Sequence, residues 1–258
     1  MSSILYEVVG QVACITLNRP EKFNAFNREM ALLLQTKLDE AQQDEQIRAI
    51  LLTGNGKAFC AGQDLSELMA DNPPGFDVIL SQHYNPIISR MRELPKPIVV
   101  AVNGVAAGAG ANIALAGDVV VATQSASFMQ AFSKIGLIPD SGGTFFLPRL
   151  IGFQKASALM MLGDKVSAPQ AEQLGMIYQV LPDETFIADS RKIADTLANL
   201  PTQGLALTKQ ALNQSLTNNL HQQLQLEDEL QFKAAHTADY EEGVRAFIEK
   251  RKPLFVGK

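Results

Sequence analysis

The chain has 258 residues, 47% hydrophobic and 19% charged, with a formal net charge of −5. That is ample for one large core, and the acidic balance, without any basic cluster, excludes the footprint of a nucleic-acid binder. Two cysteines, Cys14 and Cys60, give neither a metal-ligand spacing nor a disulfide framework; there is no apolar run of membrane-spanning length and no signal-peptide pattern at the N-terminus, so a cytoplasmic protein that binds neither membrane nor nucleic acid is expected.

In chain order, Ile4–Val9 and Val12–Leu17 are β-rich runs around Gly10-Gln11 and read as a hairpin. Residues 18–27, NRPEKFNAFN, form a polar loop. Residues 28–44 carry Met30, Leu33, Leu34 and Leu38 at helical spacing, and residues 47–53 read as a buried strand. A turn at Gly54-Asn55-Gly56 leads into KAFCAGQDLSEL. The run DNPPG, residues 71–75, is a breaker, and residues 76–94 read as a helix broken or bent near Asn85-Pro86, where proline lacks the N–H and crowds the preceding turn.

Ile98–Val102 is a short β-branched run behind Pro95 and Pro97, as expected of a fully buried strand. The glycines that follow, Gly104, Gly108 and Gly110, are separated only by alanine and valine and lead into a helix-compatible segment. Strand, glycine turn and helix start aim free backbone N–H groups at an anion. Three readings compete there. A dinucleotide turn lacks its third glycine, because Ile113 stands in that place. Small residues could serve only to let a helix pack closely on a sheet. An oxyanion hole would need a second donor, and Ala61-Gly62-Gln63-Asp64, a similar turn after another strand, could supply one.

Further along, residues 118–122 read as a strand, GLIPDSGGT spans 136–144 with a helix from Thr144, Ser167 to Gln170 is a capping-box pattern, and residues 177–181 read as a last strand. Beyond Asp183 no strand signal survives. Helices are expected over 202–216, 220–235 and 239–250, the last capped by Asp239 with Glu242 three residues on. The composition therefore shifts near residue 200, dividing the chain into 1–200 and 201–258.

Four motifs in order, NRPEKFNAFN, KAFCAGQDL, AVNGVAAGAGANIALAGD and GLIPDSGGT, resemble the crotonase superfamily of enoyl-CoA hydratases and isomerases, and the resemblance runs to FIEKRKPLF at the end. HYNPI, AFSKIGLIPDSGGT and the terminal ADYEEGVRAFIEKRKPLFVGK carry a finer likeness to the bacterial ring-1,2-epoxyphenylacetyl-CoA isomerases within it. The resemblance implies an α/β fold: a spiral of ββα turns over residues 1–200 holding the CoA and active sites, and a C-terminal helical region, 201–258, that builds a homotrimer or a hexamer as a dimer of trimers. It implies an acyl-CoA thioester substrate, oxyanion-hole N–H groups at Gln63 and Ala109, and CoA contacts at Lys22, Ala25, Ala61, Asp64 and Leu65. Phe247 and Lys250 of a neighbouring subunit would close over the nucleotide. For Lys22 and Lys250 an ordinary solvated surface is an equal alternative.

The sequence departs from the hydratase pattern. Where hydratases carry two glutamates that manage a water molecule, this chain has Asn112 and Phe132, neither able to act as a base near neutral pH. Asp140 is the remaining carboxylate in a suggestive place. It could merely cap the helix or stabilise a turn; the resemblance favours a catalytic acid/base, since isomerases of the superfamily place an acidic residue in this loop. Asn112, Phe132 and Ile135, with His83 and Tyr84, are expected around the acyl group, although a structural histidine is at least as ordinary a role for His83. No metal, flavin or nicotinamide cofactor is expected, since an isomerase only redistributes bonds. The expected reaction is acyl-CoA isomerisation: ring-1,2-epoxyphenylacetyl-CoA to the oxepin thioester, and 3-enoyl to 2-enoyl thioesters. The rivals are an enoyl-CoA hydratase or general 3,2-enoyl-CoA isomerase on the same fold, and a non-catalytic acyl-CoA-binding subunit.

Overall fold

A computed structural model describes residues 2–69, 71 and 73–258. Its ten described strands are β1 (Ile4–Val9), β2 (Val12–Leu17), β3 (Ala49–Gly54), β4 (Ala58–Cys60), β5 (Ile98–Val102), β6 (Val105–Ala107), β7 (Val119–Thr123), β8 (Ser127–Met129), β9 (Lys165–Ser167) and β10 (Gln179–Leu181). They form a six-stranded sheet in the order β1-β2-β3-β5-β7-β10 and a four-stranded sheet in the order β4-β6-β8-β9. Successive ββα units each place one strand in the large sheet and one in the small: β3 with β4, β5 with β6, β7 with β8. Within each sheet those strands run parallel. This is the expected spiral of ββα turns.

The first two strands form the expected hairpin, in register from Ile4 opposite Leu17 to Val9 opposite Val12. The parallel strands β3 and β5 are buried on both faces, which is why they read as unbroken apolar runs. Alternate residues divide between two cores. Ile50, Leu52, Ile98, Val100 and Val102 join the main core with Leu34 and Leu38 of the helix Arg28–Gln43. Ala49, Leu51, Val99 and Ala101 pack with Ala194 and Ala198 of the helix Phe186–Ala198. That helix went unread in the sequence. Helices Thr202–Ser215, Leu220–Ala234 and Ala238–Ile248 follow, so the chain beyond residue 200 is helical as expected. Among the described residues, no helix is long and apolar enough to cross a membrane.

Three expectations need correction. The small sheet was not foreseen: its strands are three residues each, too short to show alternation, so the chain runs through β6 between Gly104 and Gly108 rather than straight from strand to helix. Of the break or bend expected near Asn85-Pro86, the chain shows no break but a change of helix type there. The chain continues through Phe76–Val78, a π-helical turn Ile79–Tyr84 and the α-helix Asn85–Glu93, with the Asn85 N–H bonded to the Leu80 carbonyl. The Gln82 carbonyl would face the N–H that Pro86 lacks; it accepts from Gln35 Nε2 at 2.8 Å instead. Lastly, Asp239 does not cap the final helix. Thr237 does, and the Asp239 carboxylate accepts from the Val256 and Gly257 N–H groups of the C-terminal segment, at 2.6 and 2.8 Å.

Candidate active site

Parallel pairing in the small sheet sets the ends of β4 and β6 side by side, and each strand leads to one backbone donor. After Cys60 the chain turns through Gly62, whose φ of +93° suits glycine, to Gln63. A Cβ on Gly62 would lie 3.0 Å from the Ala107 carbonyl oxygen and 3.5 Å from the Ala109 nitrogen, so the two turns are nearly in contact. After β6, Gly108 leads into the helix Ala109–Leu115. A Cβ on Gly110 would meet the Cys60 carbonyl oxygen at 2.4 Å, so that helix can approach β4 only with glycine there. Among the described residues no hydrogen bond engages the N–H of Gln63 or of Ala109. The Ala109 donor is one of those a helix start leaves free.

The loop 18–27 is stitched onto the same turn: Ala61 N–H donates to Phe23 O, Phe26 N–H to Gly62 O and Asp64 N–H to Phe26 O, at 3.0, 2.7 and 2.8 Å. Arg19 pairs with Asp64 at 2.8 Å, and Asp64 caps the short helix Leu65–Leu68. Burial alone would raise the pKa of Asp64, but hydrogen bonds from Ser66 and Arg19 outweigh it and hold the carboxyl below its usual range. Its side chain is thus committed to structure. Cys60 is fully buried and its thiol is pushed up to about 12 by burial, so it is inert packing.

A cavity of about 220 Å³ opens between these turns and the segment 131–140. Ala61, Gln63, Leu65, Tyr84, Ala109, Phe132, Ile135 and Asp140 line it, joined by Leu68, Phe76, Ile79 and Leu137. The wall is mostly apolar, and Asp140 is its one carboxylate among the described residues. Burial raises the pKa of Asp140, opposed by a hydrogen bond from Ser141 Oγ at 2.9 Å. Nor does the Asp140 side chain cap the following helix, Gly143–Ile151, which has no side-chain cap; the Gly143 N–H bonds to the Asp140 backbone carbonyl at 2.8 Å.

Asn112 and His83 do not line this cavity. Asn112 is fully buried; its Nδ2 donates to the Asp140 carbonyl at 2.8 Å and its Oδ1 accepts from Gln130 Nε2 at 2.7 Å. Asn112 thus latches the loop that carries Asp140. His83 is buried, its Nε2 has no hydrogen-bond partner among the described residues, and burial pushes its pKa down, with Glu67 opposing. Lys22 is exposed in the turn Pro20–Lys22, beside the buried Ala25. Phe247 lies in another cavity with Val244 and Phe255, and a single chain brings neither it nor Lys250 to the Asp140 cavity. Sequence reasoning missed Gln130, a buried polar residue with no motif around it. It also missed Phe76 and Ile79, whose i, i+3 spacing after the breaker was the available signal.

Two spiral turns, each with an unengaged N–H, thus share a cavity with one half-buried carboxylate. The enoyl-CoA hydratase/isomerase family profile matches residues 7–258, and the chain belongs to that family, the crotonases. It is 50% identical to the 1,2-epoxyphenylacetyl-CoA isomerase of Escherichia coli K12, with all of both chains covered. It is 38% identical to the trans-2-decenoyl-(acyl-carrier-protein) isomerase of Streptococcus mutans, over 99% of this chain and 98% of the other. The crystal structure of the enoyl-CoA hydratase from Bacillus anthracis superposes with a TM-score of 0.92 at 33% identity, covering 99% of this chain and all of that one.

Proposed function

We propose that the protein is an acyl-CoA isomerase that converts ring-1,2-epoxyphenylacetyl-CoA to the oxepin thioester and shifts enoyl-CoA double bonds from position 3 to position 2. The observation that carries this reading is Asp140, a desolvated carboxylate in the cavity that the Gln63 and Ala109 donors share. The likeness to the Escherichia coli epoxide isomerase supports the finer substrate.

The thioester carbonyl oxygen lies between the two N–H groups. Charge grows on that oxygen as the substrate becomes enolate-like, so the donors bind the transition state more strongly than the ground state. With a 3-enoyl thioester, the Asp140 carboxylate takes a proton from C2; the C2–H pair becomes the C1=C2 bond and the carbonyl π pair moves onto the thioester oxygen. As the C=O re-forms, C1=C2 shifts to C2=C3 and the old C3=C4 pair takes the proton back at C4 from the same carboxyl. Desolvation suits Asp140 to this work, because a raised pKa makes it a better proton acceptor. Atoms balance without water, metal or redox cofactor. The ring-epoxide reaction is likewise an isomerisation, with the same oxygen held by the same donors. CoA lies along Lys22, Ala25, Ala61, Asp64 and Leu65, and Phe247 and Lys250 of a neighbour cover it in a cytoplasmic trimer or dimer of trimers.

Asn112 counts against efficient hydration, because it is spent as a latch at a position where a hydratase needs a carboxylate. The test is to incubate the purified protein separately with a 3-enoyl-CoA and a trans-2-enoyl-CoA in water, then with the ring epoxide. Rapid isomerisation of the first with negligible hydration of the second is expected. Rapid hydration would overturn the assignment of Asp140 as the only working acid/base.

A further inference from the structure

The side chain of Gln63 is held at both ends of its amide. Its Oε1 accepts from the Tyr84 hydroxyl at 2.8 Å, and its Nε2 donates to Glu67 Oε2 at 2.8 Å. Glu67 is itself fixed, since its other oxygen accepts from the Arg28 N–H at 2.9 Å. Tyr84 is 1% exposed, and its ring packs on Phe26 with centroids 5.9 Å apart. It ends the π-helical turn Ile79–Tyr84, whose carbonyls at Gln82 and His83 accept from the Gln35 amide at 2.8 and 3.1 Å. A continuous chain of hydrogen bonds and backbone thus runs from Gln35 through Tyr84 to Gln63, Glu67 and Arg28.

This chain meets a backbone that needs it. Gly62, just before Gln63, has no side chain to hold the intervening peptide, and that peptide carries the Gln63 N–H. Its orientation is otherwise set by the hydrogen bonds of Gly62 O and Asp64 N with Phe26. We propose that Tyr84 is a positioning residue for the oxyanion hole: its hydroxyl, acting through the Gln63 side-chain amide, holds the Gln63 N–H in the direction of the thioester oxygen. The proposal rests on the reading of Gln63 as a donor, but not on which acyl group is isomerised. Burial raises the pKa of Tyr84 well above the ordinary phenol value, so the hydroxyl remains a donor throughout the working range. A π-turn placed at a reaction centre has a reason here, since it delivers Tyr84 to Gln63.

The test uses 4-(dimethylamino)cinnamoyl-CoA, a chromophore whose absorption moves to the red when its thioester carbonyl is polarised. It is bound to the wild type, Tyr84→Phe, Gln63→Ala and the double variant, and turnover of a 3-enoyl-CoA is measured alongside. Tyr84→Phe keeps the buried ring and loses only the hydroxyl; Gln63→Ala cuts the same link at a less buried position and keeps the backbone N–H. Each single variant should show a smaller red shift and a kcat lower by about three- to tenfold, with thioester affinity within about twofold. The double variant should be no worse than the singles, because both cut one link. A Tyr84→Phe complex with the full wild-type shift, or losses that multiply in the double variant, would overturn the proposal. A wild type that leaves the band where it stands in water removes the donor pair and the proposal with it. A wild type that shifts the band but moves no double bond sinks the isomerase reading and leaves the relay standing.

Discussion

Replacing Asp140 by asparagine separates chemistry from structure, because the new side chain has the same shape and its Oδ1 can still accept from Ser141 Oγ. Only the ability to take a proton is lost. A positioned acid/base contributes about 10²–10⁴ in rate, or about 3–5 kcal/mol of transition-state stabilisation, and that loss should fall on kcat, with KM little changed. The stability change has the opposite sign. Burial raises the Asp140 pKa in the folded chain, so the unfolded chain gives up this proton first as pH rises. Above the unfolded carboxyl range the folded state therefore bears a cost for the ionised, desolvated group. Asp140→Asn removes that cost: its Tm should exceed the wild type's at neutral pH, and the difference should close as pH falls below the range where an unfolded aspartate titrates. In the wild type, kcat/KM for the 3-enoyl thioester should rise with pH through an apparent pKa above that of a free aspartate, and the variant should lose this limb. The measurements are a pH–rate profile and thermal unfolding at several pH values. A variant with near-wild-type turnover, or one with a lower Tm at neutral pH, would refute the reasoning.

Ala109→Pro should lose about 10²–10³ in kcat, since proline fits the first position of a helix but deletes the N–H; Ala109→Gly keeps the donor, and equal activity in the two variants, by steady-state assay, would exclude this donor. Gly110→Ala drives a Cβ into the Cys60 carbonyl and should cost about 1–3 kcal/mol in urea unfolding, with activity falling as β4 moves away from the helix start. Asn112→Ala removes the bonds to Asp140 O and from Gln130 Nε2 and leaves Gln130, whose Oε1 already lacks a partner among the described residues, unpaired at both ends. Urea unfolding should show a loss of about 2–4 kcal/mol, together with a drop in kcat as the Asp140 loop loosens; unchanged stability would show that the latch holds nothing.

The parts of the fold that announce themselves in sequence are those where one local rule dominates. The hairpin around Gly10-Gln11, the β-branched run Ile98–Val102, and the cap at Ser167 with Gln170 answering it are all as read. The small sheet escaped because β4, β6, β8 and β9 are held by their neighbours across the sheet, and three residues carry no period. At Pro86 the chain stays helical because the proline falls in the first turn of Asn85–Glu93, and the π turn before it, with Gln35 bonded to the Gln82 carbonyl, leaves no local signal. The same distinction runs through the site. The turns at Gln63 and Ala109 and the loop at Asp140 lie in motifs, whereas Gln130, Glu67 and the duty of Asn112 exist only in contacts between distant segments. For Asn112 the motif marks the position, while its bonds to Asp140 O and from Gln130 Nε2 come from segments 18 or more residues away.

The latch at Asn112 also bears on how such an enzyme could change its activity by mutation. A single change to glutamate, the residue of the hydratase pattern, would put a carboxylate where an amide now donates to the Asp140 carbonyl. The Asp140 loop would lose its anchor before hydration could begin, because Phe132 would still stand in place of the second glutamate. On the proposed isomerase reading, the first mutational step would cost that reaction without supplying the second carboxylate of the hydratase pattern.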